Sequence, residues 1–102
     1  MEWIENIQLR AFTCKDRDKA VTVFHELLTP EPETGIGEIA LFRNPVLETD
    51  LVIMIRWQKT VPPQGKSNLG FQLAAVFSEF GQIYHSVWTR DSRLNLKKER
   101  HQ

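Results

Sequence analysis

Glu5 and His85 are the two ionisable residues that the strand pattern of this sequence places on one apolar face of a sheet. His85 lies in the stretch FGQIYHSVW, residues 80–88, where apolar and polar side chains alternate. Histidine exchanges protons near neutral pH. A carboxylate beside the ring would favour its protonated form, so the two residues could act as a proton relay for an acidic organic substrate.

The alternative for His85 is a purely structural role. A ring nitrogen would then bond a hydroxyl or a loop carbonyl inside a packed core. Because no second histidine falls near His85, the sequence favours the structural interpretation, and the catalytic one stays open as a hypothesis.

Other catalytic motifs are missing from the sequence. Cys14 is the single cysteine, which excludes a disulfide within the chain, and no CxxC or HExxH spacing offers metal ligands. The stretch TGIGEIA lacks the Lys-Ser/Thr of a phosphate-binding loop, and no GxSxG supports a serine nucleophile. The sequence therefore predicts no metal site and no cofactor.

Periodicity predicts the elements that position the two candidate residues. Period-two alternation predicts a strand over residues 3–13, and strand-like or strongly apolar runs predict three more over residues 36–43, 51–58 and 82–89. Apolar residues at helical spacing predict two helices, one capped by Asp16 and reaching residue 28, the other capped by Ser67 or Asn68 and stopped by Gly81. The order strand, helix, strand, strand, helix, strand predicts an α+β, ferredoxin-like fold with an antiparallel sheet.

In this fold the first strand lies between the third and the fourth, which brings three tryptophans, Trp3, Trp57 and Trp88, to the same end of the sheet. Side-chain parity then places Trp3, Glu5, Trp57 and His85 on the face that carries the helices. The sequence predicts a pocket there, with Glu5 and His85 as catalytic residues and Trp57, Trp3 and Phe77 as substrate-binding residues.

The opposite face of the sheet mixes apolar and amphipathic side chains. It is too apolar to leave in water and too polar for a monomer core, so we expect a second copy of the chain to cover it. The residues on this face are Asn6, Gln8, Arg10, Phe12, Val52, Met54, Arg56, Tyr84, Ser86 and Trp88.

Composition predicts one domain over residues 1–89, followed by a basic tail, residues 90–102. Thirteen basic and thirteen acidic residues cancel, and the sheet face fits a nucleic-acid platform only loosely, so no nucleic-acid partner is predicted. No run of eighteen apolar residues and no signal-peptide pattern occur, which predicts a cytoplasmic protein without a membrane partner.

Residues 3–89 resemble the dimeric α/β-barrel superfamily, and in particular its antibiotic-biosynthesis-monooxygenase-like domains. The resemblance rests on the element order, on ENIQLRAF in the first strand, and on DLVIMIRW, which ends in Trp57. It implies homodimers whose sheets meet in a barrel, with ligands between a subunit's sheet and its helices. The implied chemistry is cofactor-independent oxidation of an aromatic substrate by dioxygen or, in one branch, haem cleavage.

The haem-cleaving branch of this superfamily uses an Asn on the first strand, a Trp ending the third and a His on the second helix. Asn6 and Trp57 match the first two, which makes Asn6 a further candidate for substrate binding. The second helix has no histidine, Ile55 replaces the acidic residue usual two positions before the tryptophan, and parity turns Asn6 to the opposite face. Haem cleavage is therefore not predicted.

The function predicted from the sequence is a homodimeric, monooxygenase-like domain that binds a small apolar or aromatic molecule. The sequence leaves open whether the domain also oxidises that molecule without a cofactor. The alternative is a non-catalytic module for dimerisation or small-molecule sensing, in which the same side chains merely pack.

Overall fold

A computed structural model describes residues 2–27, 35–58 and 65–96 of the chain. A four-stranded antiparallel sheet carries two helices on one face, which confirms the predicted α+β, ferredoxin-like class. The elements are β1 (Trp3–Ala11), α1 (Cys14–Glu26), β2 (Ile36–Arg43), β3 (Asp50–Trp57), α2 (Asn68–Phe77), a 3₁₀ turn (Ser78–Phe80) and β4 (Gly81–Thr89).

The strand order is β2-β3-β1-β4, so β1 lies between β3 and β4 as predicted. Trp3, the first residue of β1, is opposite Trp57, the last residue of β3, and Thr89, the last residue of β4. Burial alternates strictly along β1 and β3. Every second residue of these strands therefore enters the layer between the sheet and the helices.

The core fills that layer with aliphatic and aromatic side chains. Ile7, Ile53 and Ile55 come from the sheet, Ala20 from α1 and Phe77 from α2. Each of these residues is at most 2% exposed, so the face predicted to carry the helices is the one that does.

Two boundaries near β1 differ from the prediction. The strand ends at Ala11, and Thr13 caps α1 in place of Asp16. The Thr13 hydroxyl accepts a hydrogen bond from the Asp16 backbone N–H at 3.0 Å and donates one to the Asp16 carboxylate at 2.8 Å. Threonine and aspartate are both good N-cap residues. Here the two hydrogen bonds with Asp16 place Thr13 at the N-cap and Asp16 in the first turn of the helix.

The end of α2 also differs from the prediction. Ser67 caps the helix as expected, but the helix stops at Phe77, and Val76 is exposed instead of facing the core. Gly81, predicted as the helix stop, is the first residue of β4. A Cβ at this position would overlap the carbonyl oxygen of Arg10 on β1, so the glycine lets the two strands pair from this point.

The third strand begins one residue earlier than predicted and ends one earlier. Asp50 pairs with Arg10 in the β1–β3 ladder, and its carboxylate accepts two hydrogen bonds from the Arg10 guanidinium, at 3.0 and 3.1 Å. This cross-strand ion pair explains why a charged residue belongs to the strand.

Residues 90–96 follow β4 without regular structure and are exposed. The first of them, Arg90, forms an ion pair with Glu2. Parts of three predicted features lie outside the described residues. These parts are residue 28 of the first helix, residues 59–64 of the loop after the third strand and residues 97–102 of the tail. Within the described ranges, no helix is both long enough and apolar enough to span a membrane.

Candidate functional site

Glu5 is a carboxyl group with no exposed surface in the layer between the sheet and the helices. Its Oε1 accepts a hydrogen bond from the Trp57 indole N–H at 2.9 Å. Its Oε2 accepts one from the Ser67 backbone N–H at 3.1 Å and lies 2.8 Å from His85 Nε2. Three elements, β3, the start of α2 and β4, thus meet at one side chain, and their donors offset the cost of burying it.

Strand register explains why the two strand residues reach Glu5. Glu5 is directly opposite Ile55 on β3 and Val87 on β4. Trp57 lies two positions after Ile55 and His85 lies two positions before Val87, so both are on the same face as Glu5. Diagonal neighbours of this kind are within reach of long side chains. The sheet alone therefore brings Glu5, Trp57 and His85 together.

Ser67 adds the helix to this cluster. Its hydroxyl accepts the Gly70 N–H at 2.9 Å, which caps α2, while its own N–H donates to Glu5. The carboxyl group thus lies at the positive end of the α2 dipole, which favours negative charge there.

Gly70 is the residue of α2 that lies against the Glu5–His85 pair. A Cβ at this position would overlap Glu5 Oε2 and would lie 2.8 Å from both Cε1 and Nε2 of His85. The missing side chain therefore lets the helix approach closely enough for Ser67 to reach Glu5.

His85 lies at the edge of the sheet, on β4, with a side chain that is 5% exposed. The Phe71 ring of α2 packs edge-on against the imidazole, with 5.7 Å between ring centroids and an interplanar angle of 79°. Phe71 itself is 55% exposed, so it forms the outer cover of the histidine.

The predicted aromatic residues are divided between two faces. Trp3 and Trp57 stack at 5.1 Å with an interplanar angle of 16°, and Phe77 is buried in the same layer. Trp88 lies on the opposite face, where its indole N–H donates to the Ser86 hydroxyl at 2.9 Å. Asn6, opposite Met54 and Ser86 in the register, is also turned away from Glu5.

A groove of about 630 Å³ opens on the opposite face of the sheet, away from His85. Gln8, Phe42 and Tyr84 line it together with the Arg10–Asp50 ion pair. Hydrogen bonds from Arg10 hold the pKa of Asp50 below its ordinary value, against a smaller opposing effect of desolvation. The same bonds raise the pKa of Arg10.

Among the described residues, Glu5 and His85 do not belong to a larger metal-ligand set. Among the described residues no three His, Cys, Asp or Glu side chains are grouped closely enough to hold a metal ion. The chemistry that the site offers is that of a carboxyl–imidazole pair next to two stacked indoles.

Comparison with known proteins relates the whole fold to solved structures. No family model and no curated protein matches the sequence. Rv0793 from Mycobacterium tuberculosis superposes with a TM-score of 0.65 at 13% identity, covering 93% of this chain and 100% of that one. A Bacteroides thetaiotaomicron protein of unknown function, described as a possible oxidoreductase, gives a TM-score of 0.63 at 17% identity, covering 85% and 95%.

A third solved structure is that of a mutant of SnoaB, a cofactor-independent oxygenase from Streptomyces nogalater. It superposes with a TM-score of 0.59 at 12% identity, covering 91% of this chain and 96% of that one. The chain has the fold of the antibiotic-biosynthesis-monooxygenase-like domains. The fold that the predicted resemblance implies is thereby confirmed.

The sequence reasoning missed three residues around the Glu5–His85 pair: Ser67 as a donor, Gly70 and Phe71. Gly70 carried a signal, because a glycine inside a helix costs stability and calls for a packing reason. Ser67 was predicted only as a helix cap, and nothing in the sequence indicated that its backbone N–H donates to Glu5. Phe71 falls outside the apolar stripe of α2 and gave no signal.

Proposed function

We propose that the chain is a homodimeric, monooxygenase-like domain that binds a small aromatic molecule between its sheet and its helices and oxidises it with dioxygen without a cofactor. The observation that carries the proposal is the hydrogen-bonded Glu5–His85 pair on the helix-facing side. Support comes from the fold, which is shared with a cofactor-independent oxygenase.

In this proposal His85 is the general base. Glu5 lies 2.8 Å from Nε2, so the carboxylate favours the tautomer with the proton on Nε2 and leaves the lone pair on Nδ1 free to accept a proton. A carboxylate that orients a histidine in this manner also stabilises the imidazolium formed afterwards.

The substrate would be an aromatic molecule with an acidic CH₂ group. Transfer of a proton from this carbon to His85 leaves an electron pair on the substrate, and the resulting carbanion is the species that dioxygen oxidises. The net change is R₂CH₂ + O₂ → R₂C=O + H₂O, so the carbon gives up four electrons and both oxygen atoms are accounted for. Trp3, Trp57 and Phe77 would exclude water around the anion.

The test is dioxygen uptake with 2-tetralone, an aromatic ketone whose benzylic CH₂ is acidic. His85→Gln keeps an N–H donor near the position of Nε2 but has no second ring nitrogen, so uptake is expected to fall to the uncatalysed rate. His25→Gln, at the exposed histidine of α1, is the matched control and should keep the wild-type rate. Equal uptake by wild type and His85→Gln would remove the base from the proposal.

The homodimer is the second part of the proposal. Tyr84 and Trp88 on the far face of β4 are 64% and 58% exposed, and Phe42 adds to the same apolar surface from β2. Exposed aromatic residues beside Met and Arg side chains are typical of protein interfaces. Light scattering at micromolar concentration should report a dimer for the wild type and a monomer for Trp88→Glu; a monomeric wild type would refute it.

A non-catalytic dimerisation or sensing module is the second candidate. It is favoured by the close packing at the pair, where Glu5 already accepts three hydrogen bonds and Gly70 leaves no room for a methyl group. The pair would then only fasten α2 to the sheet. Wild-type protein that neither binds 2-tetralone nor consumes dioxygen with it would support this candidate. We also expect a cytoplasmic location, which fractionation of the native host would test.

A further inference from the structure

The indole N–H of Trp3 is a buried donor without an acceptor. Trp3 is 4% exposed, and its Nε1 is the one fully buried side-chain nitrogen or oxygen of the described residues that has no hydrogen-bond partner. Buried polar groups are nearly always paired, so an unpaired one at a candidate site needs an acceptor that the described protein atoms do not supply.

The neighbouring indole shows what Trp3 lacks. Trp3 and Trp57 stack almost in parallel, yet the Trp57 N–H donates to Glu5 at 2.9 Å. The oxygens of Glu5 are occupied by Trp57, Ser67 and His85. The carboxylate that accepts from the neighbouring indole is thus already bonded to three other donors.

Trp3 also lies at one end of the sheet. It is the first residue of β1 and is opposite the last residues of β3 and β4, Trp57 and Thr89. The indole pair therefore forms the end of the layer between sheet and helices. A flat molecule entering at this end would meet the tryptophans before Glu5.

We propose that Trp3 is a specificity-determining residue whose indole N–H donates to an oxygen atom of the ligand. This inference rests on the proposed function. It narrows the class of ligand to molecules that carry a carbonyl or phenolic oxygen and excludes plain hydrocarbons. A site with an unpaired buried donor favours the ligand that pairs it. In a ketone, the same N–H would stabilise the negative charge on oxygen when the adjacent C–H loses its proton.

The experiment compares the binding of 2-tetralone with that of tetralin, the same ring system without the oxygen. Calorimetry on the wild type should give about tenfold tighter binding of the ketone, the ratio that one neutral hydrogen bond supplies. Trp3→Phe keeps an aromatic ring but not the donor, so the ratio should fall to about one. Trp88→Phe, on the opposite face, is the matched control and should keep the wild-type ratio.

A second measurement on unmodified protein does not depend on how Trp3→Phe folds. The nitrogen–proton correlation spectrum shows one indole signal for each of the three tryptophans. In the free protein the Trp3 signal should lie upfield, as for an N–H without an acceptor, and 2-tetralone should move it downfield while tetralin should not. A Trp3 signal that is hydrogen-bonded in the free protein would overturn the inference, because solvent would then already satisfy the donor.

The outcomes separate this inference from the proposed function. Equal affinity of the wild type for the two probes overturns the role of Trp3 and leaves oxidation at His85 standing. A wild type that binds neither probe overturns both. A tenfold preference that survives Trp3→Phe assigns the oxygen to another donor and also refutes the role of Trp3.

Discussion

Substitution of Gly70 by alanine is expected to destabilise the protein, although helix preference alone predicts the reverse. Alanine is better than glycine inside a helix by about 0.8–1.0 kcal/mol. At Gly70, however, the new Cβ would overlap Glu5 Oε2 and lie 2.8 Å from two atoms of the His85 ring. Glu5 is fully buried and held by three hydrogen bonds, so its side chain cannot move away without breaking some of them.

The size of the effect follows from the bonds that must break. Relief of the overlap requires Oε2 to leave the Ser67 N–H and His85, and each buried partner left unsatisfied costs about 1–3 kcal/mol. Two such losses of about 2 kcal/mol, less the gain of about 1 kcal/mol in helix preference, give a net loss of about 3 kcal/mol. For a domain of this size the melting temperature should fall by at least ~12 °C.

Urea and thermal unfolding of Gly70→Ala measure this loss, with Gln72→Ala, at an exposed position of the same helix, as the control. The control should stay within about 0.5 kcal/mol of the wild type. A double-mutant cycle adds a sharper criterion, because Glu5→Ala makes room for the methyl group and should remove most of the Gly70→Ala penalty. A neutral or stabilising Gly70→Ala would refute the close approach of α2 to the pair.

The remaining predictions concern single contacts on the helix-facing side of the sheet and on its opposite face. Glu5→Gln places an amide N–H₂ where an acceptor is needed, so the free energy of unfolding should fall by about 1–3 kcal/mol in urea titrations. Phe71→Ala should raise the rate at which diethylpyrocarbonate modifies His85 several-fold, measured by mass spectrometry against an exposed histidine; an unchanged rate would show that Phe71 is not its cover. Hydrogen bonds from Arg10 lower the pKa of Asp50. The ion pair therefore stabilises the folded state fully at pH values above the ordinary pKa of a carboxyl group. This stabilisation is lost as the pH falls through the lowered pKa of Asp50. Asp50→Asn should therefore be less stable than the wild type at pH 7, and the gap should close in acid.

The sequence was sufficient for the part of the site that the sheet builds. Strand alternation has a fixed period of two, so the side of Glu5, Trp57 and His85 could be predicted once the strand order was known. The contacts of α2 depend on how closely the helix approaches the sheet, which no periodicity encodes. The role of Gly70, which permits the close approach of α2 to the sheet, could therefore not be predicted from the sequence.

Local chemistry explains the other differences. Thr13 and Asp16 are both good helix caps, and the sequence does not say which side chain begins the helix until their reciprocal hydrogen bonds are seen. The end of α2 was placed too late because the apolar spacing continues to Phe80, although those last residues form a 3₁₀ turn. Such a turn is a frequent way for a helix to end.

The His85→Gln variant bears on whether the pair is structural or catalytic, because the two roles need different atoms. A structural role needs only the donor that faces Glu5, and the glutamine amide can supply it from nearly the position of Nε2. Stability should then stay within about 1 kcal/mol of the wild type, since one neutral N–H donor to the Glu5 carboxylate is exchanged for another. A catalytic role needs Nδ1, which glutamine lacks. Retained stability with lost dioxygen uptake would therefore identify His85 as the base, whereas loss of neither would leave it a packing residue that Glu5 holds in place.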